Sequence, residues 1–319
     1  PRVKIKDDKD SLKKLGLKKE WLNDLSVFEI LKVNELDYVT KIKYINHRIP
    51  MDTLSFIEKE KLTDINFASK LNKLAYFEGD KFHIEKYSFK FKGLGTIAYK
   101  YKENIKKVGI ISTCFSLKND WRLIVGLGNE SVYETSMTLH HIYGFPYVPG
   151  QAVKGIVRSW IITEVFGKND QGESDLEHAE KRALANQSFC DIFGCPKESV
   201  HNESRQGKVI FFDAYPTSAP EIKPDVMNPH YPDYYGGDKP PADYQNPKPI
   251  FFLTVKNTSF EFITGVKPKD NIEISDFKTG QKKPILDVVQ DWLETALTEH
   301  GIGAKTAAGY GYFQPANTP

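Results

Sequence analysis

Cysteine is scarce: Cys114, Cys190 and Cys195 are the only three in 319 residues. Three thiols cannot build the disulfide framework that replaces a core in small secreted domains. Cys190-x4-Cys195 followed by His201 is at most part of a zinc site, because a closed site needs four ligands and the sequence has no second Cys pair. Ordinary buried or half-buried thiols, and no metal or cofactor, are the expectation. Long apolar runs are missing too. Mean hydropathy is −0.46, and no stretch approaches the ~18–20 apolar residues that cross a bilayer. A membrane protein is excluded on that reading. The opening PRVKIKDDKD has neither the apolar stretch of a secretory signal nor an initiator Met, which fits a trimmed chain working in the cytoplasm. Net charge is small, 44 basic against 42 acidic residues or +2. The pI near 8.3 falls below that of a dedicated basic nucleic-acid-binding domain.

What is present is the material of a globular fold. Hydrophobic residues make up 40%, aromatics 13% and charged residues 27%, enough for a sizeable core in one large domain or two small ones. The small net charge hides an asymmetry. Residues 1–110 carry +8 and the remainder −6. A basic segment can face nucleic acid or an acidic partner; the simpler account is a solvated, Lys-rich face with interleaved acids.

Periodicity predicts helices over 10–25 and 51–75, with Leu12, Leu15, Trp21 and Leu25 at helical spacing. Residues 86–100 alternate aromatic and Lys and read as a strand. Residues 107–117 and 121–127 read as two strands joined by a turn, and 126–141 as a polar, Gly-flanked connection. Helices are expected over 151–166, 175–190 and 284–300, and buried strands over 207–216 and on either side of Asn257. No linker or solenoid repeat stands out. Strands interleaved with helices and closing on a strand give an α+β fold, with a ferredoxin-like core carrying long insertions as the first choice.

Four segments can carry chemistry. In PGQAVKGIVRSW, Pro149 and Gly150 break a strand and a helix starts near Gln151. Val153, Ile156, Val157, Trp160 and Ile161 form its apolar face, and Gln151, Lys154 and Arg158 share the other. Free N–H groups beside a Lys and an Arg suit a phosphate. Gly155 costs ~1 kcal/mol against Ala in a helix, which hints at a close approach to the backbone. The plain alternative is a surface helix. In GIGAKTAAGYGYF, glycines including Gly303 bracket Lys305 and Thr306. This is neither a P-loop nor a dinucleotide fingerprint, but its backbone can lie along a phosphate chain; a flexible connection is the alternative. His140 and His141, near Glu134, offer acid–base chemistry, although adjacent histidines in a strand point to opposite faces and local packing explains them as well. Finally, 216–249 holds nine of 18 prolines together with Tyr231, Tyr234, Tyr235 and Tyr244. Its prolines exclude a central strand, and its tyrosines can stack on bases or fill an interface.

The order GLGNESVYETSMTLHHIYGFPYVPGQAVKGIVRS, FFDAYP, DVMNPHYPDYY and GIGAKTAAGYGYF resembles CRISPR-associated proteins of the RAMP superfamily, and within it the subunit 6 family of the type III-B Cmr effector complex. The resemblance covers residues 108–319; residues 1–107 match no motif and are expected to be a basic N-terminal part packed on the core. It implies a ferredoxin-like (RRM-like) core with a projecting Pro/Tyr-rich thumb in 216–249. It implies a subunit that binds CRISPR guide RNA near its 3′ end and contributes to binding target RNA. Its partners would be other Cmr subunits, especially the backbone and 3′-end neighbours. Gln151, Lys154, Gly155 and Arg158 would touch RNA, with Gly303, Lys305, Thr306 and His141 against the same RNA or supporting that surface. Tyr231, Tyr234 and Tyr235 would serve the thumb.

The backbone subunit of such complexes cuts target RNA with an Asp in the connection before the Pro-Gly helix. Here that connection reads SVYETSMTLHH, without an Asp, so the expectation is a non-catalytic subunit. The competing readings are a RAMP endoribonuclease processing precursor RNA through His140 or His141, and an adaptor whose 216–249 segment binds protein only.

Overall fold

The computed structural model describes residues 42–45, 68, 71, 74–78, 81–82, 91, 93–129, 135–169, 171–228 and 249–315. The helices expected over 10–25 and 51–75, Glu134 and the three thumb tyrosines lie outside them, apart from positions 68, 71 and 74–75 of the second helix; of these, 74–75 belong to a strand. The chain divides into two compact units. One comprises Pro1–Lys90, Gly126–Phe145 and Ile222–Thr254; the other Phe91–Val125, Pro146–Glu221 and Val255–Pro319.

The first unit carries three antiparallel strands, β1 (Ile42–Ile45), β2 (Leu74–Glu78) and β3 (Lys81–Phe82), in that order. The second unit begins with α1 (Leu94–Lys107). Leu94, Ile97, Tyr101 and Ile105 recur at helical spacing, with Leu94 and Ile105 buried. Lys106 and Lys107 in the last turn suit the helix dipole. This corrects the strand expected over 86–100: within 94–100 the aromatic–Lys alternation is overridden by a 3.6-residue apolar period that only becomes visible when the window extends to Ile105.

The core of this unit is one antiparallel sheet, β15–β4–β12–β8. Its strands are β4 (Ile111–Asn119), β8 (Val209–Phe211), β12 (Ser259–Val266) and β15 (Phe313–Pro315). Strand β12 is central, running from Ser259 opposite Lys118 to Val266 opposite Ile111 on one side, and pairing Thr264–Val266 with β8 on the other. The two-residue β9 (Tyr215–Pro216) extends that second side. Helix α2 (Gly150–Glu164) joins β4 to β8, and α5 (Ile285–Thr295) joins β12 to β15. In each connection the two strands are separated by a third, so the motif is a twice-repeated split βαβ. Phe115, Phe260 and Phe262 share one face of the sheet; Phe115 stacks on Phe262, and Phe260 and Phe262 meet Phe313 edge-on. On the other face Lys102 of α1 pairs with Glu261 at 2.7 Å. Val153, Val157 and Ile161 of α2 and the strongly apolar stripe of α5 complete the core.

Three further expectations need correction. The helix expected over 175–190 is two, α3 (Ala179–Leu184) and α4 (Gln187–Phe193). Asn186 separates them, its side chain capping α4 by accepting from the Phe189 amide at 3.0 Å. The strand expected over 121–127 shrinks to β5 (Arg122–Leu123), and it pairs with the last residues of β11 (Ile250–Lys256) rather than with β4. Buried Asn119 directs that switch: its Nδ2 donates to the carbonyls of Trp121 and Val255, and its Oδ1 accepts from the Thr258 amide at 2.7 Å. Finally, part of 216–249 is regular. Residues Glu221–Met227 form β10, including Pro224, on the outer side of β11, an edge position being where a strand proline is tolerated.

Candidate nucleic-acid interface

Helix α2 places four of the expected RNA-binding residues. Pro149 sits at its N-cap in extended conformation and Gly150 opens it. Gly150 is buried, and a Cβ there would strike the Phe211 carbonyl, so the glycine seats the helix start against the strand that follows it. The Gly150 amide donates to Asp213 Oδ1 at 2.7 Å. This carboxylate at the positive end of the helix lies in the 207–216 stretch that the sequence reads only as a buried strand. Tyr101, Tyr147 and Tyr215 gather round it: Tyr101 stacks on Tyr215 at 4.5 Å and Tyr147 meets Tyr215 edge-on at 6.1 Å. Burial first, then the Asp213 charge, push the phenols of Tyr101 and Tyr147 above their ordinary range.

The cations of α2 are engaged with the protein. Lys154 Nζ donates to the Phe193 carbonyl at the C-terminus of α4, at 2.8 Å. Burial, and behind it the charge of Arg158, lower its pKa. Arg158 reaches Glu180 at 2.5 Å and lies over the Phe189 ring at 5.5 Å. Gln151 is exposed, and a Cβ at exposed Gly155 would meet only open space. The polar stripe therefore exists as expected, but its two charges are braced on α3 and α4, and the open part of the face is Gln151 and Gly155.

The glycine-rich segment is a close-packed loop, not a flexible tether. The Ala304 amide donates to the Ile124 carbonyl at 2.8 Å, Gly311 to Arg122 at 2.7 Å and Ile302 to Gly311 at 2.8 Å. Gly303 and Gly311 have φ of 98° and 78°, and a Cβ on either would collide with a backbone carbonyl, of Ile124 or Ile302. These glycines are thus accounted for by packing on residues 122–124. Lys305 takes a left-handed φ of 63° and Thr306 begins a 3-10 turn; both are half-buried.

His141 belongs to the other unit. His140 and His141 do not alternate across a strand: residues 141–143 form a turn closed by the Gly144 amide on the His140 carbonyl at 2.7 Å. The turn brings the two rings together at 5.2 Å and nearly parallel, with Tyr143 4.8 Å from His140. His141 is exposed. The described residues expected to touch RNA thus fall into three groups, on α2, on the C-terminal loop and on this turn. As for metal, no group of three or more His, Cys, Asp or Glu side chains among the described residues is placed to hold an ion. Burial, followed by the neighbouring Cys195, pushes the Cys190 thiol up to about 12. No helix among the described residues is long and apolar enough to cross a membrane.

An α+β sheet built from two split βαβ units, with a glycine-packed loop leading into its last strand, defines the class of domain. Residues 121–314 match the RAMP superfamily, and the chain belongs to that superfamily. Among its relatives, the CRISPR system Cmr subunit Cmr6 of Pyrococcus furiosus is 34% identical over 235 residues, 61% of this chain and 65% of that protein. The alignment thus spans just under two thirds of that relative's length. The CRISPR system CMR subunit Cmr6 of Saccharolobus solfataricus is 25% identical over 310 residues, covering 92% of this chain and 91% of the relative. A chain in the cryo-EM structure of the type III-B Cmr-beta complex bound to cognate target RNA aligns with TM-score 0.49 at 24% identity, over 71% of this chain and 66% of that one.

Proposed function

We propose that this chain is a non-catalytic, RNA-binding subunit of a type III-B Cmr ribonucleoprotein, with CRISPR guide RNA, target RNA and other Cmr subunits as its partners. It holds the guide towards its 3′ end, beside the backbone subunits, and works in the cytoplasm. The observation that carries this is the alignment with an archaeal Cmr6 over 92% of the chain, joined to membership of the RAMP superfamily. The strand order β15–β4–β12–β8, fourth, first, third and second in chain order, supports reading the core as ferredoxin-like.

On this reading the RNA backbone runs along Gln151 and Gly155, where nothing fills the space a side chain would take. Lys154 and Arg158 flank that strip. Burial first, and then the charge of Arg158, lower the Lys154 pKa, and a phosphate beside the two cations offsets their repulsion. The C-terminal loop supports the surface through Lys305 and Thr306, His141 offers a stacking face for a base, and Tyr231, Tyr234 and Tyr235 form a thumb that wedges against RNA or a neighbouring subunit. The reading as a non-cutting subunit rests on the absence of Asp from residues 126–141.

The test is to purify tagged full-length chain from its native host and identify what comes with it. Guide RNA, with crosslinks from α2 to its 3′ portion, is expected alongside Cmr subunits. Recovery of the chain with neither would overturn the reading. Cleavage of repeat RNA by the isolated chain, abolished by His141→Ala or Glu134→Ala, would reassign it to the ribonuclease class.

A further inference from the structure

Away from the Gln151–Gly155 strip, the same unit carries a cleft of about 480 Å³ between α2, the β13–β14 hairpin (Glu273–Ser275 and Lys282–Pro284) and α5 with the π-helical turn Ala296–His300 that follows it. Trp160, Phe277 and Trp292 give it aromatic walls. Phe277 meets Trp292 nearly edge-on at 5.9 Å, and Trp160 lies 5.3 Å from His300. Trp160 Nε1 is buried with no hydrogen-bond partner among the described residues.

The charge of the lining decides what the cleft can take. Four carboxylates, Glu164, Asp276, Asp291 and Glu299, face two ammonium groups, Lys278 and Lys283. Lys283 is already paired with Asp291 at 3.1 Å. Asp276 is only 6% exposed. Its Oδ1 accepts from the Lys278 amide and from the amide and hydroxyl of Thr279; burial pulls its pKa up, but these bonds together outweigh it and hold the carboxyl below the usual carboxylate range. These bonds all fall on one oxygen, so the fixed negative charge keeps acceptor capacity on Oδ2. A phosphate chain is repelled here. A guanidinium is the complementary group: it is planar, always charged, stacks on indole and phenyl rings and forks onto carboxylates.

We propose that this cleft is a protein-docking site, and that it receives an arginine side chain presented by a segment of a partner protein. The arginine packs against the Trp292–Phe277 pair and pairs with Asp276 and Glu299. This goes beyond RNA binding and gives the unit a second face, of opposite charge preference.

The test uses the full chain labelled with ¹⁵N. The indole N–H signals of its four tryptophans are assigned with Trp160→Phe and Trp292→Phe variants, and acetyl-Leu-Arg-Leu-amide is titrated in. Saturable shifts of the Trp160 and Trp292 signals are expected. The peptide with citrulline in place of arginine should bind at least about tenfold more weakly, the scale of one lost charge pair. Asp291→Asn with Glu299→Gln changes two exposed side chains and should weaken the arginine peptide about fivefold; Asp276→Asn keeps an acceptor for the turn and should weaken it further. Equal binding of the citrulline peptide, no saturation, or displacement of the same two signals by oligouridylate would each overturn the proposal. Loss of RNA binding by the protein elsewhere would leave these signals unaffected, so the two readings fail separately.

Discussion

Replacing Lys154 and Arg158 together by alanine tests the RNA surface most directly, and the structure changes what the experiment must control. Both side chains have protein partners, so the double variant loses stability as well as charge. The charge-assisted bond from Lys154 to the Phe193 carbonyl is worth about 1.5 kcal/mol where partly solvated. The exposed Arg158–Glu180 pair adds about 0.2–1 kcal/mol, and the stacking of Arg158 over Phe189 about 0.5–1 kcal/mol. A loss of about 2–4 kcal/mol lowers the urea midpoint visibly, yet leaves a domain of ordinary stability folded without denaturant. The RNA effect has a different signature. Removing two phosphate contacts on a single strand flattens the slope of log K against log salt by about 1.4. The affinity deficit of the variant at 50 mM salt should therefore shrink about sevenfold by 200 mM. Filter binding of guide RNA across that range, beside urea unfolding monitored by circular dichroism, separates the two effects. A deficit that stays constant with salt, or none at 50 mM, would refute the assignment of these cations to RNA.

Two further outcomes concern stability. Gly303→Ala and Gly311→Ala should each cost about 2–4 kcal/mol, because a strained positive φ is joined by collision with a carbonyl of Ile124 or Ile302. Gly309→Ala, at φ 87° but in open space, should cost about 1 kcal/mol; equal midpoints for all three would contradict the packed loop. Asp175 is held down to about 2 by hydrogen bonds from Arg182 first and His178 second. Its folded-state pKa lies below its unfolded value, so its contribution is present above about pH 4 and is lost as pH falls towards 2. Asp175→Asn should remove that part of the acid dependence in urea midpoints measured between pH 5 and 2.5, and an unchanged pH profile would show that the pair is not made.

The strands flanking Asn257, the Pro-Gly helix and the C-terminal helix were legible because each has a single strong period and punctuation by Gly, Pro or Asn. What misled was local pattern in competition with something outside the window. Residues 94–100 of the expected strand belong to a helix whose last buried residue is Ile105. The stretch 175–190 has continuous helical composition, yet Asn186 is worth more as a cap than as an interior residue. The shortening of β5 is set by Asn119, which is bonded to residues 136 and 139 positions away; no local signal could have announced it.

The candidate site divides along the same line. That Gln151, Lys154, Gly155 and Arg158 share a helix follows from spacing alone, and the structure keeps them there. What spacing cannot give is the partner of each group. The helix N-terminus read as an open anion site already has an anion, because Asp213 arrives from the connection between β8 and β9, 63 residues later in sequence. The glycines read as room for phosphate are room for the Ile124 and Ile302 carbonyls. Both observations move the expected RNA path off the helix tip and the loop backbone. They leave it on the flank at Gly155, which neither a positive φ nor a neighbouring atom among the described residues explains: a mid-helix glycine costs about 1 kcal/mol, and the proposed RNA path supplies a reason for it. Gly155→Ala should therefore raise stability by up to about 1 kcal/mol, while Gly155→Leu weakens guide RNA binding without unfolding the protein; a Leu variant that binds RNA as well as the parent would remove the flank from the path.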